Sequence, residues 1–236
     1  MNLHRFISGS ALIGIALGSG ISLASAATIA NGGFEGDQSA GSITIYGAGT
    51  SAGPSFQGYT VFGPGTVGLV KNTFSDNVGT NNPNSGNFEV DLTGDTDAGV
   101  RQGIVTTASD LIAGQSYLLS FFLGNRVDNP NATTVGVSTT GTSGIFTDFT
   151  NNDFSGVVNS PNRYQQFSLL FTALGSTADI AFRLDTTGRI VNAGLDDISI
   201  SAVTTPVPGP LAGAGIVPLL GFGLLAMRRR RQKLAA

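Results

Sequence analysis

The chain has 236 residues, with 12 Lys and Arg against 15 Asp and Glu, a single His, no Cys and no Trp. All 15 acids lie between residues 27 and 205, opposed there only by Lys71, Arg101, Arg126, Arg163, Arg183 and Arg189, so this body carries a net charge of −9. That balance argues against nucleic acid, which needs clustered Lys and Arg, and leaves calcium and neutral polymers as candidate partners.

In chain order, residues 1–26 come first. His4 and Arg5 precede an apolar stretch over 11–23, and Ala24-Ser25-Ala26 supplies small residues at a cleavage position. The segment reads as a secretory signal helix removed after Ala26, which makes the Sec machinery a partner and the body an exported one. His4, the only histidine, leaves with it. The remaining body has neither imidazole nor thiol, which excludes a Ser-His-Asp triad, a Cys nucleophile and an ordinary zinc site. No disulfides staple it, although export would permit them.

The body, 27–205, is long enough for one domain. It is rich in Gly, Ser, Thr and Asn and is broken by Asn-Gly, Asn-Pro and Gly-Pro turns between short β-branched or aromatic runs, the pattern of an all-β sandwich or barrel. Strands are predicted at 42–46, 59–62, 67–71, 87–92, 99–106, 116–123, 133–138, 164–172, 179–185 and 194–201. Phe88, Val90 and Leu92 alternate with Glu89 and Asp91, as in a half-buried strand, whereas the nearly continuous apolar run 116–123 reads as a central strand covered on both faces. Residues 109–114 have room for one helical turn. The polar stretches 72–86 and 125–133 read as extended loops, where ligand contacts usually lie.

The last 31 residues, 206–236, carry their own pattern. Val207-Pro208-Gly209-Pro210 leads into an apolar run over 211–227, which is followed directly by Arg228, Arg229, Arg230 and Arg231 within a basic tail, 228–236. The run falls slightly short of the ~20 residues that span a bilayer and contains several glycines. Basic residues after it mark that end as cytoplasmic. Motif, apolar helix and basic cluster in this order resemble the Val-Pro-Gly-Pro variant of the bacterial PEP-CTERM sorting signal. The resemblance implies an exosortase as partner, transient anchoring in the membrane through a C-terminal transmembrane helix, and cleavage near the Pro-Gly-Pro motif that delivers the body to the cell surface or extracellular matrix. Gly209 stands where that family usually has Glu, so the subtype of exosortase stays open.

Within the body, Asn31-Gly32-Gly33-Phe34-Glu35 near the start, Gly86 to Gly94, Gly103 to Thr106, Gly114 to Phe121 and Leu195-Asp196-Asp197-Ile198 near the end follow one another in an order that resembles galactose-binding-like jelly rolls. Choice-of-anchor surface proteins and carbohydrate-binding modules share it. The resemblance implies a jelly-roll β-sandwich that acts as a polysaccharide-associated binding or structural module, and a structural Ca2+ held by Glu35 and by Asp196 or Asp197 with backbone carbonyls. If Ile198 and Ile200 face the core, alternation places Asp196 on their face and Asp197 on the other. A saccharide site needs an aromatic platform with polar partners; Tyr46, Tyr59 and Tyr164 are the candidate platforms, with Arg101, Gln102, Arg126, Asn125 and Gln166 beside them. No pair of acids sits in a recognisable catalytic setting, so the body is expected not to be an enzyme. A surface protein with no small ligand and a glycan-active enzyme are the alternatives.

Overall fold

The computed structural model describes residues 26–36, 41–47, 58–94, 101–157, 160–186 and 192–204. The signal helix and the sorting segment from Pro206 onward, including Val207, Pro208, Gly209, Pro210 and the arginines that follow, lie outside the described residues. Among the described residues no helix is long and apolar enough to cross a membrane.

Eleven strands are described: β1 (Ile43–Gly47), β2 (Tyr59–Phe62), β3 (Thr66–Lys71), β4 (Phe88–Asp91), β5 (Gly103–Ala108), β6 (Ser116–Arg126), β7 (Thr133–Ser138), β8 (Thr147–Asn151), β9 (Asn162–Thr172), β10 (Ala178–Leu184) and β11 (Gly194–Ala202). All pairings are antiparallel. They form a six-stranded sheet ordered β1-β3-β4-β11-β6-β9 and a five-stranded sheet ordered β2-β5-β10-β7-β8. Non-consecutive neighbours such as β4 and β11 show the long connections of a jelly-roll sandwich, as the all-β reading expects.

Ten of the eleven strands coincide with predicted segments. β8 was missed because Thr147–Asn151 alternates only weakly, with Phe149 as its one large apolar residue. Gly114, with a φ of 82° and open space around its Cα, turns the chain into β6; only glycine adopts that conformation without strain.

The sheets pack over one apolar core. Phe121 sits at its centre, its ring 5.2 Å from Phe182, 5.3 Å from Phe149 and 5.9 Å from Phe167. Truncating a ring so enclosed costs about 3–5 kcal/mol. Tyr117, Leu119, Phe121 and Leu123 of β6 enter this core, while Leu118, Ser120 and Phe122 between them are only half-buried. β6 is therefore one-sided, contrary to the expectation of cover on both faces: a run of apolar residues reads as doubly buried even when every second one lies on a partly open surface.

The reverse holds for β4. Phe88 and Val90 fill the core, but Glu89 and Asp91 on the opposite, outer face are buried too, at 0% and 4% exposure. The residues that cover them lie far away in sequence, so alternation alone reads the strand as half-exposed. They define the candidate site.

Candidate functional site: buried carboxyls under a polar strap

The loop between β3 and β4 crosses the outer face of the six-stranded sheet and is held there by side chains. Asn82 and Asn162 exchange two bonds, Nδ2 to the Asn162 carbonyl at 3.1 Å and the Asn162 N–H to Oδ1 at 3.0 Å. Asn84 Nδ2 and Ser85 Oγ donate to the two Asp197 carboxylate oxygens, each at 2.7 Å, and the Ser85 N–H donates to Asp196 Oδ2 at 3.1 Å. Arg126 anchors the loop's other end through an ion pair to Asp76, and pairs with Asp128 at 2.9 Å. The loop is thus a polar strap.

Beneath it lies Glu89. Asn162 Nδ2 donates to both its oxygens at 3.1 and 3.2 Å, and Asn192 Nδ2 to Oε1 at 3.2 Å. Burial pushes its carboxyl up to about 8, and the neighbouring carboxylates of Asp91 and Asp196 add to that rise against the opposing hydrogen bond from Asn192. Asp91 is also raised by burial, although Thr93 and the Ala193 N–H donate to Oδ1. Burial likewise lifts Asp196 to about 7. Glu89 is consequently a neutral acid at pH 7, with a proton to donate. Around it Asn162 Oδ1, Asn192 Oδ1, Asn81 Nδ2 and the Tyr164 hydroxyl are buried without a hydrogen-bond partner among the described residues. Donors and acceptors are both left over, which suits a neutral hydroxylated molecule or water better than an ion.

Two glycines make room for Tyr164. On the outer face β9 places Tyr164 opposite Gly124 of β6. A Cβ on Gly124 would meet the Tyr164 ring at 3.0 Å, and one on Gly194 would meet the Tyr164 hydroxyl at 2.7 Å and Glu89 Oε2 at 2.9 Å. The hydroxyl end of the ring lies over these two glycines, on the side of the Glu89 carboxyl. Any larger residue at either glycine would lift it off.

Beyond Tyr164 the outer face changes character. Gln166, Ser168 and Leu170 of β9, Leu118, Ser120 and Phe122 of β6, and Ser199 and Ser201 of β11 make a strip without an ionisable group. Ser120 and Ser168 share a hydroxyl contact of 3.0 Å across it.

The other expected residues are placed apart from one another. Tyr59 is 2% exposed and packs tilted against Phe34 with ring centroids 5.1 Å apart, where burial raises its phenol, so it is a core residue and no platform. Tyr46 packs half-buried against the same core. Gln102 is fully buried, its Nε2 donating to the Leu92 carbonyl at 2.8 Å. Arg101 lies exposed beside Asp185 at 3.3 Å, and Asn125 accepts Asn129 Nδ2 and Thr133 Oγ1 inside the fold. Of the expected ligand residues, only Arg126, Tyr164 and Gln166 stand on the outer face of the larger sheet.

Glu35, Asp196 and Asp197 do converge on the start of β4. Each, however, faces N–H and O–H donors. Glu35 Oε1 accepts the Asn87 and Phe88 amides at 2.7 and 2.9 Å, and among the described residues no three carboxylate or imidazole groups stand together as metal ligands. A hard cation needs oxygen donors in those positions, so the arrangement does not fit Ca2+. The expected facing is also inverted. A one-residue bulge between Asp196 and Ser199, with Asp197 at a φ of 49°, lets both Leu195 and Ile198 enter the core and turns Asp196 to the outer face.

No family model matches the chain, and no characterised protein matches it in sequence. Solved structures do resemble it. A cyclase from Fischerella sp. TAU in complex with 4-(1H-indol-3-yl)butan-2-one is 16% identical with a TM-score of 0.55, the match covering 76% of this chain and 98% of that one. The apo form of a cyclase from Fischerella sp. gives 16% and 0.54 over 77% and 99%. The xylan-binding domain CBM22-1 of Paenibacillus barcinonensis Xyn10C gives 15% and 0.39 over 68% and 90%. At these identities the likeness to the cyclases is one of fold. It corrects the expectation that the body is not an enzyme, because this fold is found in enzymes. The lack of His and Cys in the body removes a Ser-His-Asp triad and a Cys nucleophile, and leaves carboxyl, amine and hydroxyl chemistry available.

Glu89 sets a pH dependence with a definite sign. The folded state holds a proton between the ordinary carboxyl value and about 8 that the unfolded chain releases, so stability is highest on the acid side and falls as pH rises through that window. Glu89→Gln, which carries no charge at any pH, should flatten the decline of melting temperature between pH 5 and 8.5 and stabilise at the upper end by a few kcal/mol, at about 1.4 kcal/mol per pKa unit. Thermal melts across that range check it; an unchanged slope in the variant would show that Glu89 titrates normally.

Proposed function

We propose that the chain is an exported surface protein, sorted through its C-terminal signal by an exosortase, and that the outer face of its six-stranded sheet binds neutral polysaccharide. One observation carries the binding reading. In a body of net charge −9, the exposed strip of β11, β6 and β9 offers only hydroxyls, amides and apolar carbons, and it ends at Tyr164. Sugars present the same mixture, with apolar ring faces for stacking and hydroxyls that both donate and accept. An anionic polymer would be repelled by the surrounding acids.

Native gels cast with neutral or anionic polysaccharides test this. Retardation is expected with a neutral polymer, little changed between 50 and 500 mM salt because no charge pair is involved, and weakened roughly tenfold, about 1.4 kcal/mol, by Tyr164→Ala. Absence of retardation by any neutral polymer with the protein still folded would overturn the binding reading.

The sorting reading is supported by Val207-Pro208-Gly209-Pro210, the apolar run and the arginines in fixed order. Replacing those four residues with alanines should leave the protein unprocessed in the membrane fraction. Normal processing of that variant would remove the reading.

A further inference from the structure

Three of the four sheet edges among the described residues are short: β1 has five residues, β2 four and β8 five. The fourth edge, β9, has eleven. Its backbone pairs with β6 in unbroken register from Asn162 to Thr172, and no other backbone partner for these residues occurs among the described ones. An open edge presents a row of free N–H and C=O groups, and proteins normally guard it with charge, proline, a bulge or brevity. From Tyr164 to Thr172, Tyr-Gln-Gln-Phe-Ser-Leu-Leu-Phe-Thr, β9 has none of these. Leu170 is 63% exposed, and Phe167, Leu169 and Phe171, which pack against the core, are only half-buried where the edge opens.

We propose that this edge is completed by β9 of a second copy of the chain, paired antiparallel about a two-fold axis into one twelve-stranded sheet. Two features select a second copy. The body is strongly acidic, so two copies repel wherever charged surfaces meet and can approach closely where charge is absent; the longest described strand edge is that place. Antiparallel self-pairing also preserves facing. An axis through Leu169 sets Phe167 against the second copy's Phe171, joining the two half-open cores, and sets Ser168 against Leu170 on the outer face. The remaining edges are short, so the pair closes and does not propagate into a fibre. The neutral strips of the two copies then run on into one another, doubling the polar face.

The absence of cysteine makes the test site-specific. In the full chain, Ser168→Cys treated with a short bis-maleimide should be captured as a dimer, whereas Ser42→Cys beside the opposite edge should not. Sedimentation of the otherwise unmodified chain at tens of micromolar should give twice the single-chain mass. Ser168→Lys, which places a charge on the exposed outer side of the strand, should cut the dimer fraction at least tenfold with cooperative thermal unfolding retained. A monomer in the unmodified chain, a dimer that survives Ser168→Lys, equal capture at both cysteines, oligomers that keep growing with concentration, or a single copy carrying a different polypeptide would each overturn the proposal.

Discussion

The arrangement depends on one constraint: Glu89, Asp91 and Asp196 are carboxyls withdrawn from water on the outer face of a sheet, while Arg126, which acts on Asp91, makes its ion pairs with Asp76 and Asp128. Charges in such a place are unfavourable unless paired or neutralised. The molecule answers with amides. Asn162 and Asn192 donate to Glu89, Thr93 and the Ala193 N–H to Asp91, and the Ser85 N–H to Asp196. What these neutral donors leave uncompensated is met by protonation, with Glu89 held up to about 8 and Asp196 to about 7. Of these donors the strap over β4 supplies the Ser85 N–H, and its own attachment runs through Asp196, Asp197 and Asn162.

The strap and the uncharged strip are therefore two parts of one surface. Tyr164 joins them: Gly124 and Gly194 allow its ring to approach the backbone, with its hydroxyl end on the side of the Glu89 carboxyl while its ring borders the uncharged strip.

Much of the fold was legible in the sequence because turn residues and two-residue alternation are local signals. Phe88, Val90 and Leu92 point inward as their spacing requires, and ten strands fall where β-branched and aromatic runs place them. The site was less legible. Glu89 and Asp91 read as solvent-facing because the residues that bury them, Asn81, Asn162 and Asn192, approach from loops and strands distant in the chain. The inversion at Asp196 came from a bulge, which a period-two argument cannot register. Tyr164 could be named as a candidate, but its role rests on Gly124 and Gly194, whose pairing across three strands appears only once the register is known. The predicted calcium ligands did come together, yet as acceptors of protein hydrogen bonds.

The central claim is that Glu89 is a protonated, strap-covered acid at neutral pH. It is tested most directly by following the Glu89 side-chain carboxyl carbon through a pH titration by 13C NMR, assigned with Glu89→Gln. A midpoint near 8 is the predicted result. A midpoint at the ordinary glutamate value of about 4.3 would contradict the account.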